Sequence, residues 1–278
     1  MKSTHTSGVL LVCISAIAFS TAGLFTKGVT ADAWSVIFWR GISAAAFTLI
    51  YVVWRGEFLS EWRNFRGPAA LSALLNAAGT AAFIPAFKLT SIANVALIWA
   101  TAPFITALLA WLLLGERPGW RIMVASIVAI LGVLVVVSSS FGDGNIIGDA
   151  LAFWMTLMIA GIMVLYRRWP DTPVALPNVL GSVLLLPFAI WLTAPLQVVS
   201  SELLILLGFG LLFALASVTL TMGARILPPA ETALLSALET PLAPIWAFLL
   251  LSEMPTRAAM IGGAMIMAAL LWSQMKRA

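Results

Sequence analysis

Long apolar runs broken by brief polar interruptions set the rhythm of this chain. Residues 8–27, 33–54, 68–88, 91–114, 120–138, 148–166, 174–194, 202–224, 229–251 and 257–274 are each mostly apolar. Each has roughly the 20 residues that an α-helix needs to cross a hydrocarbon core about 30 Å thick. The pattern predicts an all-α integral membrane protein of ten transmembrane helices. The interruptions GERPGW, YRRWPDTP and SSSFGDGN carry glycine, proline and charge, where the chain has to turn and its backbone has to meet water. None of them is long enough to form a domain. The first run, Gly8 to Phe25, is read as a span and not as a cleaved leader, because it is long for a signal core and is followed by many similar runs.

Composition narrows the class further. With 62% apolar and 9% charged residues, the chain lies far from a soluble globular domain. The net charge of +4 has a topological cause, since basic residues favour cytoplasmic loops. Alternating the sides from span to span puts Lys2, Arg55, Arg63, Arg66, Arg117, Arg121, Arg167, Arg168, Arg225, Lys276 and Arg277 on one side, against Lys27, Lys88 and Arg257 on the other. Both termini are therefore expected in the cytoplasm. Basic residues scattered over short loops make no nucleic-acid surface. The single cysteine, Cys13, lies in the first span and reads as packing.

The chain also writes one phrase twice, LLLGERP at 112–118 and LLLSEMP at 249–255. At a constant offset of 137 residues Lys88 meets Arg225, Ala93 meets Ala230, Ala96 meets Ala233, Leu97 meets Leu234, Glu116 meets Glu253 and Pro118 meets Pro255. The second half reads as a copy of the first, which divides the chain into residues 1–140 and 141–278. Five spans per half is an odd number, so the second copy enters the membrane from the opposite side. Two such halves are related by a pseudo-two-fold axis in the membrane plane, the arrangement by which alternating-access transporters exchange inward- and outward-open states.

Five-plus-five spans, the fourth-span phrase ATAPFITALLAWLLLGERP and its ninth-span counterpart ALETPLAPIWAFLLLSEMP resemble the EamA-type branch of the drug/metabolite transporter superfamily. The resemblance covers the whole chain, and within the branch it is most similar to bacterial inner-membrane exporters of aromatic amino acids. It implies export of amino acids and related small metabolites by alternating access, from a multi-pass protein of the bacterial inner membrane. It implies a cavity lined mainly by the third, fourth, eighth and ninth helices, with the first and sixth. The chain departs from the family pattern at Glu239-Thr240-Pro241, where glutamate usually stands directly before proline. Substrate range, ion coupling and oligomeric state are not specified by these motifs.

Polar side chains at bilayer depth tend to face the bundle or water. Asn76 and Thr80 share a face of the third span, and their repeat mates Phe213 and Ser217 continue to Thr221 in the eighth. This set is expected to line the substrate cavity, although each hydroxyl has the alternative of bonding to its own helix. Pro85, Pro103, Pro241 and Pro244 fall inside spans, where each removes a hydrogen bond and marks a kink or gate. Most tryptophans, including Trp34, Trp54, Trp62, Trp120, Trp169 and Trp272, stand near span ends, as interfacial belts require. Trp99 and Trp154 stand deeper and are candidate walls for an aromatic or ammonium-bearing cargo, or else ordinary packing.

Glu239 near the middle of the ninth span is the candidate for proton coupling, with the alternative of bracing the Pro241 kink, and Arg40 is the only deep counter-charge. His5 belongs to the N-terminal tail. Glu116 and Glu253 end equivalent helices and are assigned to loops or gating. The chain has no His-Glu-x-x-His, Gly-x-Ser-x-Gly or Gly-x-Gly-Asp motif, so catalysis is not expected. No metal or other cofactor is expected either, nor an obligatory protein partner. The expected partners are a small-molecule substrate, an amino acid, and the lipid bilayer. A passive channel, or an exchanger of nucleotide sugars or drugs, is the rival reading. The scarcity of basic residues within the spans argues against a phosphate cargo.

Overall fold

The computed structural model describes residues 2–138, 140, 145–224, 226–227, 232 and 235–274. Of the residues singled out above, Arg225, Ala230, Ala233, Leu234, Lys276 and Arg277 lie outside the described residues. Regular structure among the described residues is helical throughout. Eight helices are long and apolar enough to cross a membrane: α1 His5–Lys27, α2 Ala33–Trp54, α3 Gly67–Leu89, α4 Ile92–Leu114, α5 Trp120–Ser138, α6 Ile146–Arg168, α7 Ala175–Leu192 and α8 Ser200–Ala224. Two shorter apolar helices follow, α9 Glu239–Leu251 and α10 Arg257–Gln274. Together they make a multi-pass membrane protein.

The expected ninth span, 229–251, does not run as one described helix. A turn at Ala237 and Leu238 precedes α9. Its cause is Pro241, which cannot donate to the Ala237 carbonyl. The chain tightens there to three-residue bonds, Leu238 N to Leu235 O and Thr240 N to Ala237 O, both 3.2 Å. The fourth span breaks likewise, ending one helix at Trp99 and starting the next at Ala102. Its turn residues Ala100 and Thr101 stand 137 positions before Ala237 and Leu238. The prolines themselves slip by one residue between the halves, but the breaks do not. Further interruptions, which the apolar pattern did not announce, occur in α1 at Thr21 and in α7 at Leu185, the latter just before Pro187.

The duplicated phrase resolves into a duplicated helix end. Gly115 closes α4 in the left-handed region at φ 73°, and Ser252 closes α9 at φ 55°. In each, two amides reach back into the last turn: Gly115 N to Trp111 O and Glu116 N to Ala110 O, then Ser252 N to Phe248 O and Glu253 N to Ala247 O. The first bond of each pair is that of the αL closure, which satisfies a carbonyl that a helix end otherwise leaves without a partner. The leucines before it, Leu112, Leu113, Leu249 and Leu250, are exposed, as lipid-facing side chains should be.

Helix packing is paired in the same way. The α1–α8 contact has its mate in α6–α3, α2–α8 in α7–α3, and α9–α1 in α4–α6, while α2–α7, α4–α9 and α5–α10 pair with themselves. Lipid supplies no hydrophobic drive between helices, so small residues have to allow close approach. Where α5 crosses α10, a Cβ on Gly132 would stand 2.8 Å from Ile266 and 2.9 Å from the Gly262 carbonyl. The largest core cluster gathers Ile37, Ile84, Val95, Ile98, Leu206, Phe209 and Ala247 from α2, α3, α4, α8 and α9.

One buried polar knot locks the start of α6 against the α3–α4 turn. Asp149, 1% exposed, accepts from Thr90 Oγ1 at 2.6 Å, Ser140 Oγ at 2.5 Å and Asn94 Nδ2 at 3.2 Å. Buried carboxylates survive only when donors surround them in this way.

The cap geometry yields a stability prediction of opposite sign in the two halves. Ser252→Gly should stabilise the protein by about 1 kcal/mol, because a side chain in the left-handed region costs on the order of 1–2 kcal/mol. Gly115→Ala should destabilise by a similar amount. Thermal unfolding in detergent checks both, and a lower midpoint for Ser252→Gly would count against the closure described here.

Candidate functional site

Two helix breaks facing each other form the centre of the bundle. Trp99 is the last residue before the break in α4, and Pro103 leaves the Trp99 carbonyl without its usual donor. Glu239 is the first residue of α9, and its carboxylate sits in the turn where free amides and the helix dipole favour negative charge. The Trp99 indole Nε1–H donates to Glu239 Oε1. This bond joins the two halves of the chain at their equivalent interruptions. The partner of Glu239 thus stands on the other half and not on its own helix.

Arg40 does not pair with Glu239. It lies on α2, which packs on α3, α7 and α8, and its guanidinium carbon stands 4.5 Å from the centroid of Phe213, 5.5 Å from Phe209 and 5.7 Å from Phe83. The residue is 2% exposed, and Nε and Nη1 have no hydrogen-bond partner among the described residues. Phe213, expected in the cavity as the repeat mate of Asn76, thus meets a cation, and it also takes an edge contact from Phe19 of α1 at 5.3 Å. The α1 helix continues to α9 through Trp246 Nε1–H, which donates to Ser20 Oγ at 3.0 Å.

The other expected site residues divide. Asn76 is half-buried and donates to Asn178 Oδ1 on α7, and Thr80 donates to Asn76 Oδ1 at 3.3 Å. Asn178 was not anticipated, although an amide inside the apolar run LPNVL needs such a partner. Ser217 and Thr221 donate to the carbonyls of Phe213 and Ser217 on their own helix, the alternative that hydroxyls in a membrane helix always have. Pro85 and Pro244 lie within unbroken helix, whereas breaks precede Pro103 and Pro241. Trp154 is 48% exposed. By helical spacing it occupies the side of α6 opposite the buried Asp149, Ala152, Thr156 and Ala160, and no ring contact among the described residues joins it to Trp99.

Ties at one end of the bundle cross several helices. Lys27 Nζ pairs with Glu253 Oε2 at 2.8 Å, and Glu253 Oε1 accepts from Ile92 N, the first residue of α4, at 2.6 Å. Beside them Glu202 accepts from Thr30 N at 2.6 Å and Ala31 N at 3.0 Å, while Lys88 Nζ donates to Val29 O at 2.7 Å. Glu116 is bound by Arg167 at 2.7 Å, far more exposed. Since Glu253 stands at the start of α4 and Glu116 just past its end, the duplicated phrase ends at opposite ends of the bundle. An apolar groove of about 500 Å³ also runs between α4, α5 and α6, lined by Ile98, Phe104, Trp111, Ile130 and Phe153. Among the described residues no three His, Cys, Asp or Glu gather as a metal ion would need.

Comparison with known proteins places this geometry. The model of the EamA-like transporter family matches residues 6–138 and again residues 140–274. A solved crystal structure of a protein superposes with a TM-score of 0.71 over 97% of each chain, at 20% identity. It shares the fold. No curated protein matches the chain.

A double-mutant cycle tests the bond across the breaks. Trp99→Phe removes the donor and keeps the ring; Glu239→Ala removes the acceptor. Hydrogen bonds to charged groups contribute about 1.5–3 kcal/mol, so the two losses of stability in detergent should fall short of additive by that order. Additive losses would show that the pair contributes nothing.

Proposed function

The chain belongs to the EamA-like transporter family of the drug/metabolite transporter superfamily, and we propose that it exports amino acids, aromatic and other neutral ones, across the bacterial inner membrane by alternating access. As a family member it is a membrane transporter of small metabolites. The observation that carries the finer reading is the Trp99–Glu239 bond between the two facing breaks. A carboxylate at a helix start beside an indole is an apt receiver for an ammonium group, and cation-π attraction to a free indole face would add about 0.5–2 kcal/mol. An arriving ammonium competes with Trp99 for Glu239. In doing so it loosens the contact between the halves, which couples binding to rearrangement.

The remaining features support the same reading. All ten helices are taken as spans, in two inverted five-helix repeats, 1–140 and 141–278, with both termini in the cytoplasm. Repeats that break at equivalent positions supply two equivalent hinges, Pro103 and Pro241, about which the halves exchange conformations. Asn76, Thr80 and Phe213 join Trp99 in the cavity wall. Ser217 and Thr221 are left as helix-bonded hydroxyls, Trp154 as a lipid-facing ring, and Pro85 and Pro244 as packing residues. Glu239 is the residue through which a proton gradient would act.

Purified protein in liposomes, loaded in turn with radiolabelled phenylalanine, tryptophan, threonine and a nucleotide sugar, tests the proposal. Saturable amino-acid efflux that competes between species is expected, and Trp99→Ala should slow it about tenfold at equal reconstituted amount. An imposed pH gradient should drive movement uphill if Glu239 couples protons. Efflux indifferent to Trp99→Ala, or exchange of the nucleotide sugar alone, would overturn the proposal. Strictly downhill, non-saturable flux would identify a channel.

A further inference from the structure

Arg40 is a buried cation that the fold surrounds but does not neutralise. Its place is fixed by the close approach of α2 and α8, where a Cβ on Gly210 would collide with Ser43 Oγ and the Arg40 carbonyl. That approach brings Phe209 and Phe213, one turn apart on α8, over the guanidinium, with Phe83 of α3 completing the cage. The carboxylates at the starts of α2, α8 and α9 have partners of their own, as does the Ser43 hydroxyl. Ser43 Oγ donates to Trp39 O and Arg40 O, Asp32 caps α2 through Trp34 N and Ser35 N, Glu202 holds Thr30 and Ala31, and Glu239 holds Trp99. Nε and Nη1 are left without partners among the described residues, in a residue that is 2% exposed.

Such a group is not expected of packing alone. Ionisable side chains at bilayer depth are costly, and those present serve transport or pair with one another. Ring faces attract a cation but leave the in-plane N–H groups of the guanidinium unsatisfied. What fits is a planar anion with an apolar body, because Arg pairs with carboxylates through parallel N–H bonds and the phenylalanines cover the adjoining hydrocarbon. A phosphate dianion would need further cations, and no other basic residue lies deep within the spans.

We propose that Arg40 is the carboxylate-recognition residue of this protein, its free Nε–H and Nη1–H receiving the carboxylate of a cargo whose apolar body lies on Phe83 and Phe213. This rests on the transporter reading above and sharpens it, since the cargo then carries a carboxylate for Arg40.

Equilibrium binding to the purified full chain, followed by intrinsic tryptophan fluorescence, tests the assignment with paired probes: 3-phenylpropionate against 3-phenylpropanamide, and phenylalanine against phenylalanine amide. The wild type should bind each carboxylate about 10- to 100-fold more tightly than its amide. Arg40→Met should bring the carboxylates down to the affinity of the amides and leave the amides unchanged. The empty Arg40→Met protein should also be at least as thermostable as the wild type, because it sheds an unpaired buried charge. No discrimination by the wild type, discrimination kept in Arg40→Met, or equal displacement of the probes by chloride would overturn the proposal. Should Arg40→Met fail to accumulate, Arg40→Lys replaces it, with a loss of at least about tenfold expected for the carboxylates and unchanged affinity counting against. Because 3-phenylpropionate has no ammonium, its Arg40-dependent binding without amino-acid efflux would fell the amino-acid reading alone, and efflux without discrimination would fell the Arg40 assignment alone.

Discussion

A helix broken inside a bilayer exposes backbone groups that lipid cannot satisfy, and the architecture follows from where this chain accepts that cost. Each unpaired amide or carbonyl in hydrocarbon costs several kcal/mol, so interruptions persist only where other protein groups, water or a ligand take up the freed bonds. Pro103 and Pro241 impose two such interruptions at equivalent places in the two halves. Ala100 and Thr101 of the first turn are buried, whereas Leu238 of the second is exposed. The turns face each other, and the side chains at their edges, Trp99 and Glu239, bond across the gap. Around that centre the helices pack in matched pairs, with glycine and alanine at the crossings.

Charge distribution follows the same economy. The ion pairs Lys27–Glu253 and Glu116–Arg167 lie at helix ends, where water shares the work. In the interior, among the described residues, three side chains donate to Asp149 and Trp99 donates to Glu239. Arg40 keeps two donors, Nε–H and Nη1–H, without partners among the described residues, within a ring of phenylalanines. A carboxylate beside an indole and a guanidinium among phenylalanines are two separate charged settings. In the proposed exporter these are the groups on which cargo acts.

Much of this was legible in the sequence, and what was missed has a common cause. The ends of the first eight spans agree with the apolar pattern to within three residues, because length and hydropathy are local properties. The repeated LLLGERP and LLLSEMP phrases correspond to one helix closure used twice, and Ser252 standing where the first half has Gly115 shows that the two closures share backbone shape more than residue. The shortened α9 was concealed because proline signals a break without saying on which residue it falls. The partners of Arg40, Asn76 and Asp149 were invisible for a different reason: each is chosen by a helix far away in sequence, as Asn178 is for Asn76. The hydroxyls of Ser217 and Thr221 turned inward to their own helix, a choice that spacing cannot decide.

Inversion is the claim on which the whole account turns, and it is open to direct measurement. Arg117 and Met254, just past the two closures, are both exposed, and each can carry the sole thiol on a Cys13→Ala background. Labelling intact cells with a membrane-impermeant maleimide should modify Met254→Cys at once and Arg117→Cys only after permeabilisation. Modification of both from the same side would place the repeated phrase on one face of the membrane and contradict the inverted arrangement.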